Sequence, residues 1–323
     1  MYQRLLKQVL TGLISLTLLT QTHAIPPHPH ANFLPKPNLH PPCEKETTYK
    51  IPSKIQTGTA TARFNIASPN GTLSETSILT LDSPQISKVT STSFDWWYFD
   101  AVSTTTPAES LTIILFSSAA SAFPWLDSSE SSVLIAYLWA AFANGSVFQE
   151  YVPAKLAVVE EGLTGKGSGA WDGSGFQWVA GDEDSMYSVV VASEEMGVYG
   201  KFTLSSNWSD LPFTESVQSW YWGHGRFGDY SIVWFSAIAM DNITYTSSYV
   251  ARDDQVLVSS FEAHLGEEGW LKVNVSIATL VTGDGEYYMR WSGELVGSVV
   301  DAEGTVTDAG SGVAVFEQFA LIE

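Results

Sequence analysis

The sequence predicts an all-β protein built from two β domains, and three observations carry that expectation. Thr, Val, Ser, Ile and aromatic residues recur in runs of six to ten from about residue 60 onward. Gly, Asn and Asp break those runs at short intervals, as tight turns require. No stretch carries a 3.6-residue apolar stripe capped at both ends, so no long amphipathic helix competes with the strands. Many short strands with explicit turns mean a sandwich or a barrel, and a dozen or more strands suit two such units.

The chain opens with a segment set apart from this pattern. Residues 1–24 read as a signal peptide: Arg4 and Lys7 give a positive start, Val9 to Leu19 a short apolar core, and Thr22-His23-Ala24 a small-residue cleavage site. That apolar run is too short to span a bilayer, so a secretory-pathway protein without a membrane anchor is expected. Residues 25–58 follow as a Pro-rich linker containing His28, His30 and His40, whose spacing around prolines suits no closed metal site. Cys43 is the single cysteine of the chain, so no intramolecular disulfide can form.

The strand series then begins. Expected strands are Leu111–Ser118, Val133–Phe142, Phe148–Val159, Gly169–Val179, Met186–Ala192 and Gly200–Ser206. After a polar interruption at Asp210-Leu211-Pro212 come Ile232–Met240, Ile243–Ala251, Val256–His264, Trp270–Val281, Tyr287–Val296 and Gly312–Ile322. Turns are marked by Ala143-Asn144-Gly145, Asp172-Gly173, Asp241-Asn242, Gly283-Asp284-Gly285 and Glu303-Gly304. The interruption divides the strands into domains over residues 59–214 and 215–323. Five N-x-S/T sequons, at Asn70, Asn144, Asn207, Asn242 and Asn274, agree with a secretory route and are expected in turns or at sheet edges.

Charge and motif content narrow the function. A net charge of −20 argues against nucleic acid, anionic membranes and polyanionic substrates. Aromatics at 13%, with 12 Trp, suit a small apolar ligand. The chain has no G-x-S-x-G, H-E-x-x-H or phosphate-cradling G-x-x-x-x-G-K. Beyond the leader only His224 and His264 remain as imidazole bases, and Asp182-Glu183-Asp184 reads as a solvated acidic loop.

Two segments carry candidate chemistry. In Phe94-Asp95-Trp96-Trp97-Tyr98-Phe99-Asp100-Ala101, Asp95, Trp97 and Phe99 share one face of a strand; Trp96, Tyr98 and Asp100 share the other. An acid among four aromatics must be paired or ligand-bound if buried. The alternative is an aromatic core strand with both acids at its solvated ends. The second segment is Trp220-Tyr221-Trp222-Gly223-His224-Gly225-Arg226-Phe227-Gly228-Asp229-Tyr230. Its glycines allow a sharp bend or a close approach to another strand, and a bend would aim His224 and Arg226 at one space. Those donors would pair with Asp95 or Asp100, or polarise a carbonyl; a structural ion pair joining two sheets is the alternative.

Three strings resemble the hydroxyneurosporene-synthase-like group of lipocalin-related proteins, which includes carotenoid hydratases and fungal Diels–Alderases. They are F-D-W-W-Y-F-D-A at 94–101, Y-W-G-H-G-R-x-G-x-Y-S at 221–231 and G-V-A-V-F-E-Q-F at 312–319. The resemblance implies an N-terminal β-sandwich, a C-terminal lipocalin-like barrel and a ligand site between them. It implies a cofactor-free intramolecular [4+2] cycloaddition of a polyene polyketide or polyketide–amino-acid hybrid, giving a cytochalasan-type isoindolone or decalin core, and a link to a polyketide–peptide synthetase. Trp96, Trp97, Tyr98, Tyr221 and Trp222 would shape the wall, with Asp100 and Tyr230 completing the substrate-binding set. His224, Arg226, Tyr98 or a protonated Asp95 would supply the hydrogen bond to the dienophile carbonyl. A non-catalytic carrier of an apolar metabolite and an isoprenoid hydratase using Asp95 are the rival readings.

Overall fold

A computed structural model describes residues 45–62, 82–103, 105–106, 108–126, 132–162, 167–180, 187–192, 197–252, 255–260, 269–283, 287–301 and 303–321. The expectations for residues 1–24, the leader histidines, Cys43, Asn70, Asp182–Asp184 and His264 lie outside the described residues.

The protein is all-β, in two antiparallel sheets. The first runs through β1 (Lys45–Pro52), β2 (Phe94–Val102), β3 (Ser110–Ser118), β4 (Leu134–Ala141), β5 (Val147–Pro153), β6 (Leu156–Gly162), β7 (Ser168–Asp172), β8 (Phe176–Ala180), β9 (Tyr187–Ala192) and β10 (Gly197–Ser209). Their spatial order is β1-β6-β7-β8-β9-β10-β2-β3-β4-β5. The start of β1 revises the linker expected over 25–58, because Thr47 to Pro52 pair residue by residue with β6. Two expected long strands are each divided. Pro153, which offers no N–H to a ladder, closes β5 before β6. Gly173 and Gly175, at φ 86° and 84°, turn the chain between β7 and β8.

The sheet folds over its own core. Trp97 of β2 meets Trp171 of β7 edge-on at 5.1 Å between ring centroids. The Trp171 indole N–H donates to the Phe116 carbonyl of β3 at 3.0 Å. Phe99, Ile113, Leu115, Leu138, Trp178 and Val189 fill the space between. A buried polar strut supports this core. The Trp97 indole donates to the Asp82 carbonyl at 3.0 Å, while the Asp82 carboxylate accepts the Gly167 N–H at 2.8 Å and the Tyr187 hydroxyl. Burial pushes the Asp82 carboxyl up to about 6, against the opposing pull of those two donors.

The chain leaves the first sheet at Ser209, makes a four-residue helical turn α1 (Phe213–Ser216), and enters the second. Its strands are β11 (Val217–Phe227), β12 (Tyr230–Ala239), β13 (Thr244–Arg252), β14 (Gln255–Ser260), β15 (Gly269–Gly283), β16 (Tyr288–Asp301) and β17 (Val306–Ala320). The order is β14-β13-β12-β11-β17-β16-β15, so among the described residues β14 and β15 remain edges and the sheet is not a closed barrel. One face holds its own core of Phe227, Ile232, Trp234, Val250, Leu271, Trp291, Leu295 and Phe316.

The expected bend at Trp222–Arg226 is absent: β11 runs unbroken, paired with β12 and β17 on either side. Its glycines serve close packing instead. A Cβ on Gly223 would stand 2.2 Å from the Trp234 ring, and one on Gly225 2.1 Å from Leu295. Both glycines face the inner core, which sends the side chains of Trp220, Trp222 and His224 to the opposite face.

The two sheets meet through those outward faces. Phe94 and Trp96 of β2, Phe213 of α1, Trp220 of β11 and Phe319 of β17 form one aromatic cluster between them. Phe213 stands edge-on to Trp220 and to Phe319, each at 5.0 Å. Of the sequons, Asn144 and Asn242 lie exposed in hairpin turns and Asn274 is exposed on edge strand β15. Asn207 lies on β10 opposite Trp96 of β2, past the part of β10 that pairs with β9. No helix of the described residues is long and apolar enough to cross a membrane.

Candidate active site

Strand parity decides what faces the seam between the sheets. From β2 it is Phe94, Trp96, Tyr98 and Asp100, the register placing Asp100 opposite Thr112 of β3. From the second sheet, Trp222 and His224 of β11 pair with Glu317 and Val315 of β17, and Glu317 pairs with Arg290 of β16.

Three donors converge on one carboxylate oxygen, Asp100 Oδ2. The Tyr98 hydroxyl donates at 3.1 Å, His224 Nε2 lies at 2.9 Å, and Arg290 Nη2 completes the set. Arg290 Nη1 also donates to Thr112 Oγ1 at 2.6 Å, so one guanidinium grips two strands of the first sheet. Asp100 and Arg290 are each 3% exposed and His224 4%. Burial alone would raise the Asp100 carboxyl, but His224 and Arg290 outweigh it and hold the group below the usual carboxylate range. Asp100 is therefore ionised at neutral pH and accepts the Nε2 proton of His224.

Aromatic rings frame this cluster. The Arg290 guanidinium carbon lies 5.1 Å from the Tyr98 ring centre, and Trp222 stands edge-on to Tyr98 at 5.4 Å and tilted to His224 at 5.1 Å. Tyr137 of β4 packs on Tyr151 of edge strand β5 at 4.5 Å, and Tyr151 is 43% exposed. A second acid borders the cluster: the Tyr288 hydroxyl donates to Glu317 Oε2 at 2.6 Å. Burial pushes the Glu317 carboxyl up, against the opposing pull of Arg290 and the Tyr288 hydroxyl.

The structure thus brings together Tyr98, Asp100, Trp222 and His224 of the residues expected from sequence, with Trp96 in the adjoining aromatic cluster. It separates the others. Asp95 is fully buried on the sandwich side of β2, where its Oδ2 accepts the Gln85 N–H at 2.8 Å; neither a proton-donor role at the seam nor a hydratase acid fits that place. Trp97, on the same side, belongs to the sandwich core. Tyr221 faces away from His224, and Tyr230 stacks on Phe227 at 5.6 Å beneath Arg252. Arg226 shares the face of His224, half-buried one turn of the pleat further on, but the guanidinium that meets Asp100 belongs to Arg290.

Arg290, Thr112, Tyr288 and Glu317 were not among the expected residues. A signal existed for two of them: an arginine between Met289 and Trp291, and a glutamate inside Val315-Phe316-Glu317-Gln318-Phe319, are charges at strand positions flanked by aromatics. Among the described residues no group of three or more His, Cys, Asp or Glu is placed to hold a metal ion.

No family model matches the chain. It is similar to the quinolone epoxide rearrangement protein asqO of Emericella nidulans, with 29% identity over 56% of this chain and 64% of that protein. It is similar also to the quinolone epoxide rearrangement protein penF of Penicillium thymicola, with 27% identity over 56% of this chain and 66% of the relative. The chain therefore spans just under two thirds of the length of each. Among solved structures, CghA superposes with a TM-score of 0.54, and CghA with Sch210972 with 0.52. Each match has 10% identity and covers 85% of this chain and 98% of that one, a likeness of fold.

Proposed function

We propose that this chain is an isomerase of secondary metabolism that rearranges an epoxide carried on a planar, aromatic-bearing substrate. The observation that carries the reading is the convergence of Tyr98, His224 and Arg290 on Asp100 inside an aromatic seam. The similarity to quinolone epoxide rearrangement proteins supports it.

Opening an epoxide C–O bond places negative charge on oxygen and positive charge on carbon. A donor aimed at the oxygen lowers that barrier, and in a dry site its effect is larger than in water. The carbon needs a neighbouring electron-rich face, which Trp222 and Tyr98 supply. Water must be kept away, because it would capture the cation as a diol; the 3–4% exposure of Asp100, Arg290 and His224 meets that need. Ionised Asp100 fixes the imidazole and the guanidinium so that neither must reorganise during reaction.

The test is to incubate the purified protein with a quinolone epoxide and follow products by chromatography and mass spectrometry. The expected result is a product of unchanged mass formed faster than without protein. Equal rates with and without protein overturn the reading.

A second reading, intramolecular [4+2] cycloaddition of a polyene polyketide or polyketide–amino-acid hybrid, is favoured by the pairing of a buried donor, His224, with the Trp222 and Tyr98 wall. A cytochalasan-type isoindolone or decalin product, and a link to a polyketide–peptide synthetase, belong to this reading. A linear polyene carrying an activated dienophile replaces the epoxide in its test. Tight binding of either probe without turnover returns the carrier.

A further inference from the structure

The seam face carries two acids, Asp100 and Glu317. Asp100 is ionised and engaged by Arg290 and His224. Glu317 lies on the same face of the second sheet, paired across the ladder with Trp222 on one side and Arg290 on the other.

The two sides of the seam differ in how their polar groups are engaged. His224 Nε2 is committed to Asp100 at 2.9 Å, within a cluster that already joins both sheets. Glu317 is the ladder partner of both Trp222 and Arg290, and its carboxylate accepts the Tyr288 hydroxyl and lies within reach of the Trp220 indole. The groups that act on it are Arg290 and Tyr288 from β16, Asp100 and Tyr98 from β2, and the Trp220 indole from β11. Burial among them favours the uncharged carboxylic acid, the form able to donate.

We propose that Glu317 is the group that gives a proton to the substrate oxygen and takes it back. The inference rests on the epoxide-rearrangement reading. In the balanced step, the Glu317 O–H proton passes to the epoxide oxygen as the C–O bond breaks. A neighbouring substituent migrates with its electron pair to the electron-poor carbon, the C=O bond forms, and the protonated carbonyl returns its proton to the Glu317 carboxylate. The substrate is isomerised, and no oxidant or reductant is consumed. His224, Asp100 and Arg290 then act by holding the seam's field.

The experiment compares wild type, Glu317→Gln, Glu317→Asp and Tyr288→Phe on the quinolone epoxide across pH. Glu317→Gln is expected to lower kcat roughly 100-fold or more, the range for loss of a general acid, with little change in KM. Glu317→Asp should keep part of the activity. Wild-type kcat/KM should fall as pH rises through the Glu317 titration. Tyr288→Phe, which deletes a donor that favours the carboxylate, should move that fall to higher pH. Should Glu317→Gln fail to fold, the Tyr288→Phe profile decides alone. Unchanged kcat in Glu317→Gln, or an unmoved profile in Tyr288→Phe, overturns the proposal while wild-type turnover keeps the functional reading intact. An inactive wild type overturns both.

Discussion

Asp95 and Asp100 lie five residues apart on β2, and that odd spacing sends them to opposite faces. Asp100→Asn should leave the Arg290 guanidinium without its counter-charge, at a cost of roughly 3–5 kcal/mol in urea unfolding, and should abolish turnover. Asp95→Asn keeps an oxygen for the Gln85 N–H and should leave kcat within about twofold while changing stability by about 1–3 kcal/mol. Equal loss of activity in the two variants would contradict the assignment of faces. Acid pH gives a second test. The folded-state pKa of Asp100 is depressed, so its contribution to stability is present above its unfolded value of about 4 and is lost as pH falls through the folded value. Asp82 runs the other way. Its carboxyl sits at about 6, so the native state loses stability as pH rises from about 4 to 6, by roughly 3 kcal/mol for this group. Asp82→Asn should remove that slope from unfolding midpoints measured between those pH values.

At the scale of the strand, β11 shows how glycines can position a site without touching it. Gly223→Ala should destabilise by about 1–3 kcal/mol, because its methyl must displace the buried Trp234 ring or the Phe316 Cβ. A urea midpoint equal to wild type would show that Trp234 can step aside. Part of this was legible in advance: the glycine-rich string marked close approach, and period-two alternation put Tyr98 with Asp100 on β2, whereas the bend expected in β11 hid the alternation that sets Trp222 with His224 and turns Tyr221 away. Alternation fixes which residues travel together and is silent on which face meets which sheet, so Asp95 and Asp100 could not be ranked by it. The same limit hid Arg290. It reaches β11 only through β17, and strands β12 to β15 intervene in the chain, so proximity to His224 depends on a ladder order that local pattern does not encode. The open order of the second sheet among the described residues has a similar origin: strand number and turn spacing were readable, but whether β14 pairs with β15 is a question of global curvature.

Over the whole molecule, the sequons divide by position. Asn144 and Asn242 lie in exposed turns and Asn274 is exposed on an edge strand, while Asn207 is paired with β2 alone. If the chain enters the secretory pathway, enzymatic deglycosylation followed by peptide mass spectrometry should find glycans on Asn144, Asn242 and Asn274. The seam has a further consequence. Each sheet owns a separate apolar core, yet Asp100 and Thr112 come from one and His224 and Arg290 from the other. Competence is thus a property of docking and belongs to neither sheet alone. On heating, turnover should vanish at the temperature where the sheets part, even if each keeps its strand signal in circular dichroism beyond it. Activity then becomes a reporter of assembly, reading a few ångströms of separation that bulk secondary structure does not register.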